Sequence, residues 1–206
     1  GHIAIQGGNN RLHITSGSPG VKFTDSDAPT GYGFIGVNNT SGSLVMRSDD
    51  GNALSSSYMG FEVDGTEKLR ITSSGGLSLN NGELVERCNV TAGKLSDNQT
   101  INLDNGMVHL FTTTETTTAT PNIMSTAGIN TSMANGDAIT VTLITTAAAA
   151  AYCANIQVDG AAVTENWIGG SAPSDGGSSG VDVHTFTIIK TASETFTVLG
   201  NQSKTS

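Results

Sequence analysis

Charged and aromatic side chains are both scarce in this sequence: 13% of its 206 residues are Asp, Glu, Lys or Arg, and 5% are Phe, Trp or Tyr. That is little material for the titratable clusters and aromatic-lined clefts of a soluble enzyme. Cations almost vanish in the second half, where residues 96–206 carry two Lys or Arg against nine Asp or Glu. A phosphate backbone is bound through clustered Lys and Arg that release counterions, so nucleic acid is not expected as a partner. The formal net charge of −9 reads instead as solubility. Cysteine is rare too. Cys88 and Cys153 lie 65 residues apart without a CxxC or His-rich neighbourhood. They read as free structural thiols, with one disulfide possible but not required. No apolar run approaches the roughly 18–20 residues that span a bilayer and no signal peptide is visible, so membrane insertion is not expected. The chain starts at Gly1-His2 inside an alternating segment, which reads as a portion of a longer or processed chain.

Gly, Ser, Thr and Asn fill close to half the chain. Disorder would give that composition, but Val, Ile, Leu and Phe interrupt it at a spacing of two, which predicts an all-β protein. The organising stretch is 60–84, GFEVDGTEKLRITSSGGLSLNNGEL. Phe61 and Val63 share one face of a strand, and Asp64-Gly65 offers a hairpin turn with positive φ. Leu69 with Ile71, and Leu77 with Leu79, form two further short pieces between turns. Strands this short do not offset their own ordering entropy, so neighbours must complete the burial.

Upstream, 2–6 and 11–15 alternate, 25–33 is a loop, and 33–37 and 44–47 are short strands. Residues 1–84 therefore repeat strand and turn every 8–12 residues or so, without the self-similarity of an exact solenoid. Three intertwined chains would give such irregular strands, as would one small independent sandwich. Residues 85–95 read as a neck, helical or extended. Beyond it strands lengthen: 107–111, the stiff Thr-rich tract 112–120, and 138–146. The alanines 147–151 read as a tight β segment or a bend between strands rather than a helix. Segments 181–190 and 195–199 pair antiparallel through a turn at 191–194, closing 96–206 as one β-sandwich.

The residues FEVDGTEKLRIT before a glycine turn resemble a motif of tail-fibre and other virion structural proteins of marine tailed bacteriophages, particularly those of cyanobacteria. The segments NLDNGMVHLFTTTETTTATPNI and WIGGSAPSDGGSSGVDVHTFTIIKTASETFTVLGNQ are similar to a recurrent C-terminal domain of such proteins. The resemblance covers about residues 61–202. It implies a homotrimeric fibre with a distal domain; taken with the strand pattern, the expectation is an intertwined β shaft at 1–84, a neck at 85–95 and a jelly-roll-like β-sandwich head at 96–206. It also implies location on the virion beside other tail proteins, and contact with a host surface glycan or outer-membrane protein. It carries no binding residues over.

The residues themselves suggest where contact would fall. Trp167, Tyr152 and the glycine loop holding Asp175 offer a carbohydrate platform on loops of a rigid scaffold, with His184 nearby in sequence. A lone Trp is also a common core residue. Candidate carboxylate pairs for glycan cleavage are Asp25 with Asp27, Asp49 with Asp50, Glu62 with Asp64, and Glu165. None stands apart from ordinary turn formers, and no Ser-His-Asp or nucleotide motif occurs, so no enzyme is expected. The pairs Asp25 with Asp27 and Asp49 with Asp50 offer oxygens for Ca²⁺ but lack the spaced acid set of an EF-hand loop. His2, His13, His109 and His184 are scattered, although a trimer axis would gather three copies of one of them. No cofactor is expected.

Overall fold

In a computed structural model, residues 14, 19–24, 32–37, 42–49, 52, 54–80 and 82–205 are described. The alternating segment at 2–6, most of 11–15, Asp25, Asp27, Asp50, His2 and His13 lie outside them. The chain is all-β: among the described residues one α-helical turn, α1 (Ile129–Ser132), accompanies sixteen strands. It divides into two compact units, Gly1–Leu84 and Val85–Ser206.

The first unit holds two separate antiparallel three-stranded sheets. One joins β1 (Gly20–Thr24), β2 (Tyr32–Val37) and β3 (Leu44–Arg47); the other joins β4 (Tyr58–Val63), β5 (Thr66–Thr72) and β6 (Leu77–Leu79). Asp64 and Gly65, with φ of 53° and 68°, make the two-residue turn whose twist suits a hairpin. Register then aligns apolar side chains in rows: Phe61–Leu69–Leu79 and Met59–Ile71–Leu77 in one sheet, and Val21–Ile35–Met46 in the other. Directly paired residues share a face, so each sheet has one apolar side.

The opposite side of the second sheet is polar, and in both sheets that side carries an arginine over an aromatic ring. Arg47 Cζ lies 5.2 Å from the Phe34 centroid and Arg70 Cζ 3.7 Å from that of Tyr58. The register shift between Phe61 and Glu62 turns Glu67 onto the face of Arg70, where the two make a forked pair with Nη2–Oε2 at 2.6 Å. The apolar sides are bare. Phe23, Leu44 and Leu77 are 58%, 72% and 69% exposed, and among the described residues no apolar side chain before Leu95 is buried.

The second unit is different. Its strands are β7 (Cys88–Thr91), β8 (Thr100–Asn102), β9 (Val108–Thr114), β10 (Asn122–Met124), β11 (Ala138–Thr146), β12 (Gln157–Val158), β13 (Ala161–Ala162), β14 (Glu165–Trp167), β15 (Val181–Ala192) and β16 (Thr195–Lys204). The larger sheet runs β14-β16-β15-β11-β9-β7 and the smaller β13-β12-β10-β8. From β7 to β12 the chain alternates between the sheets, and β7, β9 and β11 are parallel neighbours, as are β8, β10 and β12. Three coils thus stack as in a short solenoid. A jelly roll would place antiparallel neighbours there, so this path departs from the expected one. The segment expected as a neck contributes β7 to this unit's sheet. The hairpin β15–β16 closes the larger sheet antiparallel to β11.

Both sheets feed one core. Val141, Leu143, Phe186, Ile188 and Val198 from the larger sheet meet Ile101, Ile123 and Val158 from the smaller, each at most 1% exposed. Each such side chain contributes about 1.5–3 kcal/mol by leaving water. Inward positions also carry polar groups. Lys190 donates to the carbonyls of Asn130 (2.5 Å) and Met133 (2.9 Å), and Glu115 accepts the N–H groups of Leu95 (2.5 Å) and Ser96 (3.4 Å). Glu115 turning inward ends the paired part of the Thr tract at Thr114. The alanine run 147–151 forms a turn, the second of the two expected forms.

Candidate functional site

Between β14 and β15 the loop 169–180 folds back over the ends of the last two strands. Gly176 sits where a Cβ would strike the Ala148 and Ala151 carbonyls; its N–H donates to the Ala149 carbonyl (3.1 Å) and that of Gly177 to Asp182 Oδ2 (2.7 Å). Two residues of β16 hold the loop from below. Gln202 Nε2 donates to the Asp175 carbonyl at 3.2 Å, and Lys204 Nζ lies 2.7 Å from Asp175 Oδ1.

A groove of ≈ 150 Å³ opens between this loop and the strand ends, lined by Trp167, Ile168, Asp175, Asn201, Gln202 and Lys204 among others. Trp167 is half-buried. Its ring meets Phe186 edge-on with centroids 6.0 Å apart, and lies over Gly200, where a Cβ would come within 2.9–3.1 Å of three ring atoms. The indole therefore has two roles, sealing the edge of the core and forming one wall of the groove. Ile168 beside it is 66% exposed.

Of the residues singled out in sequence, the fold brings Trp167 and Asp175 into this one groove and leaves the other two elsewhere. Tyr152 and His184 line an interior cavity of only ≈ 10 Å³ with Glu115 and Cys153. His184 is corrected as a surface contact: it is 1% exposed, because β15 turns Asp182, His184 and Phe186 inward. Asn201, Gln202 and Lys204 were not anticipated. The available signal was Lys204 itself, one of two cations beyond residue 95.

The interior cluster is structural. Burial pushes the Cys153 thiol up to about 12, with the negative charges of Glu115 and Asp182 adding to it, so a nucleophilic thiolate does not form there. Burial likewise pushes His184 from 6.5 down to about 4, partly opposed by the charge of Asp182. His109, buried and bonded to the Gly106 carbonyl (2.9 Å), is lowered too by burial, partly opposed by that bond. Between pH 6.5 and 4 the unfolded chain therefore binds protons that the folded chain refuses, and stability falls as pH falls. For His184 the loss is at most about 3 kcal/mol. Thermal unfolding should occur at clearly lower temperature at pH 4.5 than at pH 7, with a shallower pH dependence in His184→Leu. Equal slopes in the two proteins would refute this assignment.

The remaining candidates serve the fold. Glu165 Oε1 accepts the Ile156 N–H at 2.6 Å, Asp49 Oδ2 accepts that of Leu54 at 2.8 Å, and Glu62 and Asp64 are exposed at a hairpin end. No three His, Cys, Asp or Glu gather in metal-holding geometry among the described residues. A larger hollow of ≈ 680 Å³ lies beside α1, and two of its polar side chains hold its own walls together. Asp159 accepts the N–H groups of Ile129 (2.9 Å) and Asn130 (2.8 Å), and Asn122 that of Gly160 (2.7 Å). No helix among the described residues is long and apolar enough to cross a membrane. No protein family, curated protein or solved structure matches the chain.

Proposed function

We propose that this chain is the distal part of a homotrimeric bacteriophage tail fibre that attaches the virion to the host cell surface. In this reading the first unit is a shaft segment whose apolar sheet faces close against other copies. The second unit is a sandwich-like head presenting the contact surface. One observation carries the assembly: two three-stranded sheets, each apolar on one side, lie in a unit with no buried apolar side chain among its described residues. Contiguous bare apolar faces of this kind mark surfaces that a partner covers. An identical chain, present in step with every copy made, supplies it. The sequence resemblance to tail-fibre proteins adds the threefold count and the setting.

Attachment is supported by the second unit, where a cohesive core carries a loop-built groove on a rigid scaffold. Weak individual sites act together when three copies, on several fibres, engage one surface. The test is adsorption: labelled protein should bind host cells and compete with infecting phage. Failure of both would instead favour a decoration or tail-associated protein without a receptor role.

A further inference from the structure

We infer that the groove between Trp167, Asp175 and Lys204 binds one ring of a neutral, hydroxyl-rich sugar. This names the ligand class for the attachment proposed above and rests on that reading only for its biological purpose.

Size comes first. At ≈ 150 Å³ the groove is well below the ~300 Å³ of pockets that enclose drug-sized ligands, so it suits a single ring of a longer chain. Its chemistry is two-sided in the way a pyranose is. One wall is the indole, whose negative π face packs against the slightly positive axial C–H groups of a sugar. Exposed Ile168 extends that apolar wall. The other side offers an acceptor and a donor together: the Asp175 carboxylate accepts and Lys204 Nζ donates. A sugar hydroxyl is both donor and acceptor, so a vicinal pair can bridge the acid and the ammonium.

Charge decides which sugars. Asp175 is 62% exposed at its side chain, and residues 96–206 carry nine acids against two cations. A uronic or sulfated ring would meet that field with like charge, so the groove favours neutral rings. The geometry is also set before binding. The contacts of Gly176, Gly177 and Gln202 hold the loop, so little ordering entropy remains to be lost.

Trp167 is the only tryptophan, so its fluorescence reports on this groove alone. The full chain should be titrated with the methyl glycosides of galactose, glucose and mannose, with N-acetylglucosamine, and with glucuronic acid as the acidic comparison. At least one neutral sugar should give a saturable emission change in the millimolar range, and glucuronic acid should bind at least about tenfold more weakly. Asp175→Ala and Lys204→Met should each weaken binding about tenfold, the size of a hydrogen bond to a charged group, while shifting thermal unfolding by no more than the loss of an exposed ion pair does. No saturable change with any neutral sugar, or full affinity in both variants, overturns the assignment. If sugar binding fails while the protein still adsorbs to cells, the assigned groove is wrong and attachment stands. If sugar binds and adsorption fails, the groove stands and attachment falls.

Discussion

Leu69→Asp should leave the protein unable to assemble, yielding single chains whose first unit is open to protease. Leu69 sits in the middle strand of its sheet, in the row between Phe61 and Leu79, with Ile71 next along the same face. In an assembly built on that face, the new carboxylate would be buried without a cation in every copy. An unpaired buried charge costs several kcal/mol even after relaxation, and the cost recurs in each chain. The control is Ser78→Asp. Ser78 pairs with Arg70 on the polar side of the same sheet, so the same charge there should be tolerated. Mass photometry and limited proteolysis of the two variants read the difference. A Leu69→Asp protein that assembles like the unaltered chain would contradict the placement of the interface.

The second large effect is expected at Gly176→Ala. A Cβ at this position would collide with the carbonyl oxygens of Ala148 and Ala151 and come within 2.9 Å of Asp182 Oδ2. Two of the three obstacles are backbone, so no side chain can swing aside. The loop must lift, which removes the Gly177 donor from Asp182, a carboxylate with 0% exposure. Overpacking of this kind costs about 3 kcal/mol, and loss of the shorter of the two hydrogen bonds to a buried carboxylate oxygen adds to it. The second unit should unfold roughly 10 °C lower or more. Ser178→Ala, on the exposed part of the same loop, should change stability by less than about 0.5 kcal/mol. An unchanged unfolding temperature in Gly176→Ala would mean that the loop does not lie against 148–151.

These two sites also mark how far the sequence can be read. The hairpin at Asp64-Gly65 was legible because a two-residue turn with positive φ leaves few residue choices. The strand 138–146 was legible because nine residues keep a period of two. The parallel coils were not. Val108 is level with Cys88, 20 residues earlier, but Thr142 is level with Val108, 34 residues later. The second coil carries an insertion around α1, so no repeat length survives in the sequence. The strands of the smaller sheet, such as Gln157–Val158, are too short to show any periodicity.

His184 shows a different limit. In VDVHTFTIIK both alternate sets contain apolar residues, and a strand slipped by one residue exchanges its faces. The buried set is Asp182, His184, Phe186, Ile188 and Lys190, which includes three ionisable groups. Hydrophobicity alone does not select that set over Val181, Val183 and Ile189. What selects it is the partners: Gly177 for Asp182, and the Asn130 and Met133 carbonyls for Lys190. The Lys190 partners lie 60 and 57 residues away, and the Asp182 partner is a glycine of an irregular loop. The groove is half legible for the same reason, since Trp167 and Asp175 stand out by type and the strand-end residues facing them do not.

The central claim is that the exposed apolar faces of the first unit are closed by copies of the same chain. Light scattering on the purified full chain at micromolar concentration tests it most directly. The account predicts a stable species at three times the 21.0 kDa chain mass. A stable species of a single chain mass, with its first unit folded and protease-resistant, would contradict it.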